Sequence, residues 1–297
     1  MISPAKINLG LKILFKRQDG YHELNSIFIK IHWGDEIYFE EIEKGKFELI
    51  SENLLNGEKR KLYDEVSEKG DIKKNILYKA FLESVKLSPE IGGVRVRIKK
   101  KIPPGGGLGG GSSNAGMLFY HFFKNTSPEN FNKLIQITSK VGADIPFFIK
   151  GKNSIVTGIG ENLSDIVISS GLGILAIPDI SINTKEAFAY LKKPLQAEVN
   201  LKEWNFLQEK DLLSLRNGDW KYLSGRFEND FEEFAFRNYS ILKEIKSKFL
   251  EYGASFASLT GTGSCIYGLV SDEKLREEIF EKMKDHFSDC KFINFSF

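Results

Sequence analysis

The chain of 297 residues is 41% hydrophobic and 28% charged, a globular balance in more chain than one core usually serves, so two domains are expected. The 42 basic and 40 acidic residues leave a net charge of +2, too mild for a nucleic-acid partner, and no apolar run approaches the ~18 residues of a membrane span. Cys265 and Cys290 are the only cysteines, too few for a disulfide framework or a four-cysteine zinc site; with Pro4, Lys6 and Asn8 interrupting any secretory leader, a cytoplasmic protein is expected.

In chain order, Ile7, Leu9, Leu11 and Ile13 alternate with Asn8, Gly10 and Lys12, and Ile27, Ile29 and Ile31 alternate with Phe28, Lys30 and His32. That is the period of strands, and Asp19-Gly20 between them supplies a turn. Residues 51–74 are charged and weakly patterned, and read as peripheral. A helix is expected over 75–85, then a strand over 94–99 that buries Val94, Val96 and Ile98. Pro103-Pro104 stops it, GGGLGGGSSNAG follows, and Ala115, Leu118, Phe119 and Phe122 form a helical stripe beyond. Ser127-Pro128 starts another helix, which stops near Gly142.

A domain boundary is expected near 151–160, giving domains 1–155 and 156–297. The second half reads as a strand at 172–177, a helix at 240–252 ended by Gly253, and two short strands flanking LTGTGS. A helix at 272–287 and the strand KFINFSF complete a βαββαβ order, the ferredoxin-like pattern. The fold class is α+β.

Six of the seven residues from Gly105 to Gly111 are glycine. Such density costs conformational entropy unless the backbone must approach something closely. Before a helix it offers free amides and the positive end of the helix dipole, an anion site; the alternative is a hinge or tight turn. A Walker A loop needs a lysine after its last glycine and none is there. GxGxxG matches at Gly105, Gly107 and Gly110, but the next element is a helix rather than a second strand. The protein-kinase loop joins two strands and needs HRD and DFG partners, which are missing. A nonstandard phosphate loop remains.

Asp144 in GADIPFF either caps a helix, with Pro146 just inside, or accepts a proton from a substrate hydroxyl. Lys6 either snorkels from its strand or sits beside a carboxylate and a phosphoryl group, holding the base ionised. LTGTGS is either a plain hairpin or a second phosphate-contact loop. Tyr21-His22 is either core packing or an aromatic and imidazole suited to a nucleobase. The four histidines show no metal-ligand spacing.

With these residues in view, the chain resembles the GHMP kinases, named for galactokinase, homoserine kinase, mevalonate kinase and phosphomevalonate kinase. Their PxGxGLGSSAA-type loop has the shape of PPGGGLGGGSSNAG here. PAKINL, DGYHEL, GADIPFF, TGIGE and TGTGS stand in the order of one branch of that family. That branch acts on cytidine diphosphate-linked methylerythritol in the non-mevalonate isoprenoid pathway. The match spans almost the whole chain.

The resemblance implies an N-terminal domain like ribosomal protein S5 domain 2 and a C-terminal ferredoxin-like domain. It implies ATP and Mg2+ as cofactors in phosphorylating the substrate's 2-hydroxyl. ATP would lie on Pro104, Gly105, Gly106, Gly107, Leu108, Gly109, Gly110, Gly111, Ser112, Ser113 and Asn114, with Lys100, Asn75 and Ile76 near adenine and ribose. Lys6 and Asp144 match the catalytic pair. Asn8, Tyr21, His22, Phe28, Thr184 and Phe188 match the substrate site, where Tyr21 and Phe188 would sandwich cytosine. Thr260, Gly261, Thr262 and Gly263 match the second glycine loop. Whether Ser112, Ser113 or only phosphates hold Mg2+ stays open. No nucleic acid, membrane or obligate protein partner is implied.

Three departures stand out. Thr260 replaces a usual serine, Gly116 replaces an alanine and is expected to weaken its helix by up to ~1 kcal/mol, and 51–74 has no counterpart. One rival is a family member acting on mevalonate or homoserine, substrates without the base that DGYHEL would meet. The other is an RNA-binding protein on an S5-like fold, opposed by the 40 acids and by glycine loops it would not need.

Overall fold

The structure, a computed structural model, describes residues 1–195 and 207–297. β1 (Ile2–Lys16) and β2 (His22–Ile42) pair antiparallel around the Asp19-Gly20 turn. The strand expected at 27–31 is thus the middle of a much longer one. β3 (Phe47–Asn53), α1 (Gly57–Asp64), α2 (Ile76–Leu87) and β4 (Gly93–Lys100) follow. The glycine loop then leads into α3 (Gly110–Phe123), α4 (Pro128–Thr138), α5 (Ile145–Lys150), β5 (Ser154–Gly158) and β6 (Asn162–Asp165).

The first sheet has the order β3-β4-β2-β5-β6, with β1 on β2. The boundary expected at 155 cuts this sheet. Ser154 to Gly158 pair with Phe28 to Leu24, and β6 pairs with β5, so the first domain runs through Asp165. Val94, Val96 and Ile98 meet Ala115, Leu118 and Phe119 in a core between the sheet and α2 and α3, as the alternation requires.

The second domain holds β7 (Leu172–Ile177), α6 (Thr184–Tyr190), α7 (Glu209–Asn217), α8 (Trp220–Leu223), α9 (Glu232–Asn238) and α10 (Ser240–Glu251). It closes with β8 (Phe256–Leu259), β9 (Ile266–Val270), α11 (Glu273–His286) and β10 (Lys291–Ser296). Its antiparallel sheet has the order β10-β7-β9-β8, the ferredoxin-like arrangement. Ile7 and Leu9 of β1 share one buried cluster with Tyr267 and Leu269 of β9, so the two domains pack through a common core.

Two expectations need correction. Segment 51–74 is not peripheral, since Leu55, Lys59 and Tyr63 are buried. The Asp179 carboxylate, from the second domain, accepts from the amides of Glu58 (3.1 Å) and Lys59 (3.4 Å) at the start of α1. Gly116 is a packing requirement rather than a weak point. A Cβ there would stand 2.9 Å from the Cβ of Phe148, so its absence lets α5 approach α3.

Candidate active site

Gly105, Gly107 and Gly109 have φ of 63°, 76° and 69°, in the left-handed region that glycine enters freely. Left-handed residues alternating with ordinary ones turn successive amides toward one side, an anion-binding nest. The nest runs into α3, whose first amides have no acceptor within the helix. Among the described residues, no backbone carbonyl accepts from any amide between Gly105 and Ser112. The cradle therefore fits a polyphosphate. Ser113 is buried with its hydroxyl 2.8 Å from that of Ser3, whereas Ser112 is only half-buried. Ser112 is thus the hydroxyl available to a ligand.

The base of the loop is held by a residue that sequence reasoning missed. Asp35 is fully buried. It accepts from the backbone amides of Lys101 (2.7 Å) and Ile102 (2.8 Å), from Asn114 Nδ2 (3.1 Å) and from Lys100 Nζ (2.5 Å). The signal was an acid inside the strand IKIHWGDEIYF. Lys100 and Asn114 thus serve the loop's foundation. Asn75 accepts from the Leu77 amide to cap α2 and donates to the Val66 carbonyl. Ile76 lies against the loop, 3.2 Å from where a Cβ on Gly111 would stand.

The second loop, 260–264, crosses the first backbone to backbone. A Cβ on Gly107 would fall 1.9 Å from the Thr260 carbonyl oxygen, and one on Gly261 would fall 2.9 Å from Gly107 Cα. The buried Thr260 hydroxyl donates to the Gly107 carbonyl (3.1 Å) and accepts from the Asn8 amide (3.2 Å). Asn8 Oδ1 accepts from the Gly261 amide (2.9 Å) and from Lys6 Nζ (2.5 Å), while its Nδ2 donates to Ser26 (2.9 Å). Asn229 Nδ2 holds the carbonyls of Leu259 and Gly261. Asn8 and Thr260 therefore form a clasp, with their polar atoms engaged by protein. Thr262 and Thr184 bring their hydroxyls within 3.3 Å.

Asp144 sits at the N-cap position of α5, yet its side chain makes no capping hydrogen bond. Its Oδ2 lies 3.8 Å from Lys6 Nζ. Lys6 is 4% exposed, its ammonium 4.6 Å from the Phe28 ring centre, and its backbone amide donates to the Leu108 carbonyl of the glycine loop (3.0 Å). Burial pushes the Lys6 ammonium below its ordinary value, and the Asp144 carboxylate opposes that shift. Gly160 of TGIGE abuts Ala143, leaving 2.9 Å between a built Cβ and the Ala143 oxygen, which fixes the residue before Asp144.

The turn that carries Tyr21 leads directly into β2. Tyr21 is 60% exposed, and it is His22 whose ring lies 4.9 Å from Phe188, tilted by 30°. The turn bonds from the Arg17 amide to the Tyr21 carbonyl and from the Tyr21 amide to Asp19 end just before β2 begins. One residue later the strand faces the other way. Burial, then Lys16 and Lys193, push the His22 imidazolium below its ordinary value, favouring the neutral ring.

A phosphate nest, a carboxylate facing a buried lysine, and a ferredoxin-like second domain clasping the nest define a GHMP-type small-molecule kinase. The family described as GHMP kinases N terminal domain matches residues 74–152, and that described as GHMP kinases C terminal matches residues 211–289. The 4-diphosphocytidyl-2-C-methyl-D-erythritol kinase of Leptospira interrogans is 48% identical over the whole of both chains. That of Leptospira biflexa is 43% identical over all of this chain and 98% of its own. A crystal structure of 4-(cytidine 5'-diphospho)-2C-methyl-D-erythritol kinase superposes with a TM-score of 0.73 at 24% identity, covering 100% of this chain and 98% of that one. The chain belongs to the 4-diphosphocytidyl-2-C-methyl-D-erythritol kinase family of GHMP kinases.

Proposed function

We propose that this chain transfers the γ-phosphoryl group of ATP to the 2-hydroxyl of cytidine diphosphate-linked methylerythritol. The observation that carries the reading is the Lys6–Asp144 pair, 3.8 Å apart, set beside the amide nest by the bond from Lys6 to Leu108. Asp144 accepts the hydroxyl proton as the oxygen–phosphorus bond forms and the bond to the β-phosphate oxygen breaks, releasing ADP. Lys6 keeps the carboxylate ionised and offsets charge developing on the transferred group. The nest and α3 hold the remaining phosphates in line.

Among the described residues, no cluster of three acids, histidines or cysteines forms a metal cage. That suits Mg2+ arriving on the nucleotide, with the Ser112 hydroxyl as a protein ligand. When bound, the ion neutralises phosphate charge. His22 and Phe188 receive the cytosine, the neutral imidazole offering hydrogen bonds to its edge, and Tyr21 covers it from the exposed side. No described helix is long and apolar enough to cross a membrane, and we place the reaction in the cytoplasm, with small molecules as the only required partners.

A coupled ADP-release assay tests the reading. Turnover with the cytidine diphosphate-linked substrate, and none with mevalonate or homoserine, is expected; turnover with either alternative would overturn the substrate assignment.

A further inference from the structure

Three lysines are buried around the glycine loop, and they are not alike. Lys100 faces the Asp35 carboxylate and Lys6 faces Asp144. Lys59 is 3% exposed, but among the described residues its ammonium reaches only two oxygens, both neutral, the Gly105 carbonyl at 3.3 Å and the Ser264 hydroxyl at 3.4 Å. Both contacts are long for a charged donor. Neighbouring Asp179 is turned to the amides of Glu58 and Lys59. Burial pushes the Lys59 ammonium below its ordinary value, with Cys265, Glu58 and Asp179 opposing the shift.

A buried cation whose neighbouring acids are turned elsewhere is costly, and this one is held firmly in place. A Cβ on Gly57 would fall 1.8 Å from Asp179 Oδ2, so the start of α1 is locked against the second domain. The lock directs Lys59 to Gly105, the first glycine of the amide nest, with the ammonium 3.9 Å from where a Cβ on Gly105 would stand. The nest offers amide dipoles for an anion but no full charge.

We propose that Lys59 is a binding residue for the nucleotide's polyphosphate, supplying positive charge at the Gly105 end of the loop. It comes from the segment that the sequence motifs leave unassigned, and it rests on the reading of the loop as a phosphate site.

The test measures binding of ADP, tripolyphosphate and adenosine by calorimetry, with melting temperatures, for the full chain. Lys59→Met removes charge and donor; Lys59→Gln removes the charge but keeps a donor for the Gly105 carbonyl. A charge-assisted hydrogen bond lost from each variant predicts about 10- to 100-fold weaker ADP and tripolyphosphate binding. Adenosine binding should be unchanged and the melting temperature should not fall. ADP affinity within twofold of wild type in Lys59→Gln would overturn the proposal, leaving Lys59 as a clamp on the Gly105 carbonyl. Equal losses for ADP and adenosine with a lowered melting temperature would overturn it in favour of a structural role. Wild-type protein that bound neither ADP nor tripolyphosphate would overturn the loop reading itself, and Lys59 with it.

Discussion

The two glycine loops have similar compositions and opposite roles. In the first, among the described residues, the amides from Gly105 to Ser112 are left without carbonyl partners, and left-handed glycines turn them toward one side. In the second, the Thr260 hydroxyl and the Gly261 amide and carbonyl bind Gly107, Asn8 and Asn229. One loop keeps its hydrogen-bonding capacity free, which the proposed function assigns to the nucleotide, and the other uses it to hold the first in shape. Glycine density alone therefore signals close approach, but it does not say whether the thing approached is a phosphate or another backbone.

The sharpest way to break this contrast is at the crossing point. Gly107→Val would drive a branched side chain into the Thr260 carbonyl at a left-handed position. A cost of ~3 kcal/mol or more is expected, seen as a melting temperature lower by roughly 6–12 °C and as lost affinity for both substrates. A variant that weakens nucleotide alone, with an unchanged melting curve, would mean the loops do not depend on each other. Thr260→Val keeps the shape but orphans the Asn8 amide and the Gly107 carbonyl, at ~1–3 kcal/mol. KM for ATP and for the cytidine substrate should rise together, because the clasp touches Asn8 and Gly107 at once. The smallest effects separate the adjacent serines. Ser113→Ala should lower stability by ~1 kcal/mol through the lost Ser3 contact and leave nucleotide affinity alone. Ser112→Ala should do the reverse, weakening ATP binding severalfold without moving the melting temperature.

Much of the fold was legible because its strands alternate cleanly and its helices follow strong signals. Val94, Val96 and Ile98 against Ala115, Leu118 and Phe119 is one example, and Ser127-Pro128 is another, with the serine side chain accepting from the Asn130 amide. The domain boundary was misplaced because β5 and β6 are short and their partner, β2, lies far away in sequence. Segment 51–74 looked peripheral because its burial depends on contacts distant in sequence, with the second domain through Asp179 and Ser264 and with the glycine loop at Gly105, rather than on its own periodicity. In the site, residue types pointed to Lys6 and Asp144, and the structure brings them together. That Tyr21 lies exposed while the neighbouring His22 turns to Phe188 was not readable, since strand parity after a turn depends on where the strand begins. Asp35 and Asn229 were missed because they each hold backbone groups of distant segments, which leave no spacing pattern.

The central claim is that Asp144 acts as a base, and Asp144→Asn tests it most directly, because the amide is nearly isosteric and a helix start accepts either residue. The measurement is kcat with the cytidine substrate alongside the dissociation constant for ADP. A fall in kcat of about 10²–10⁴-fold with ADP affinity within twofold of wild type is predicted. A variant that kept more than about a tenth of the wild-type rate would contradict the role and leave Asp144 as a residue of the α5 N-terminus.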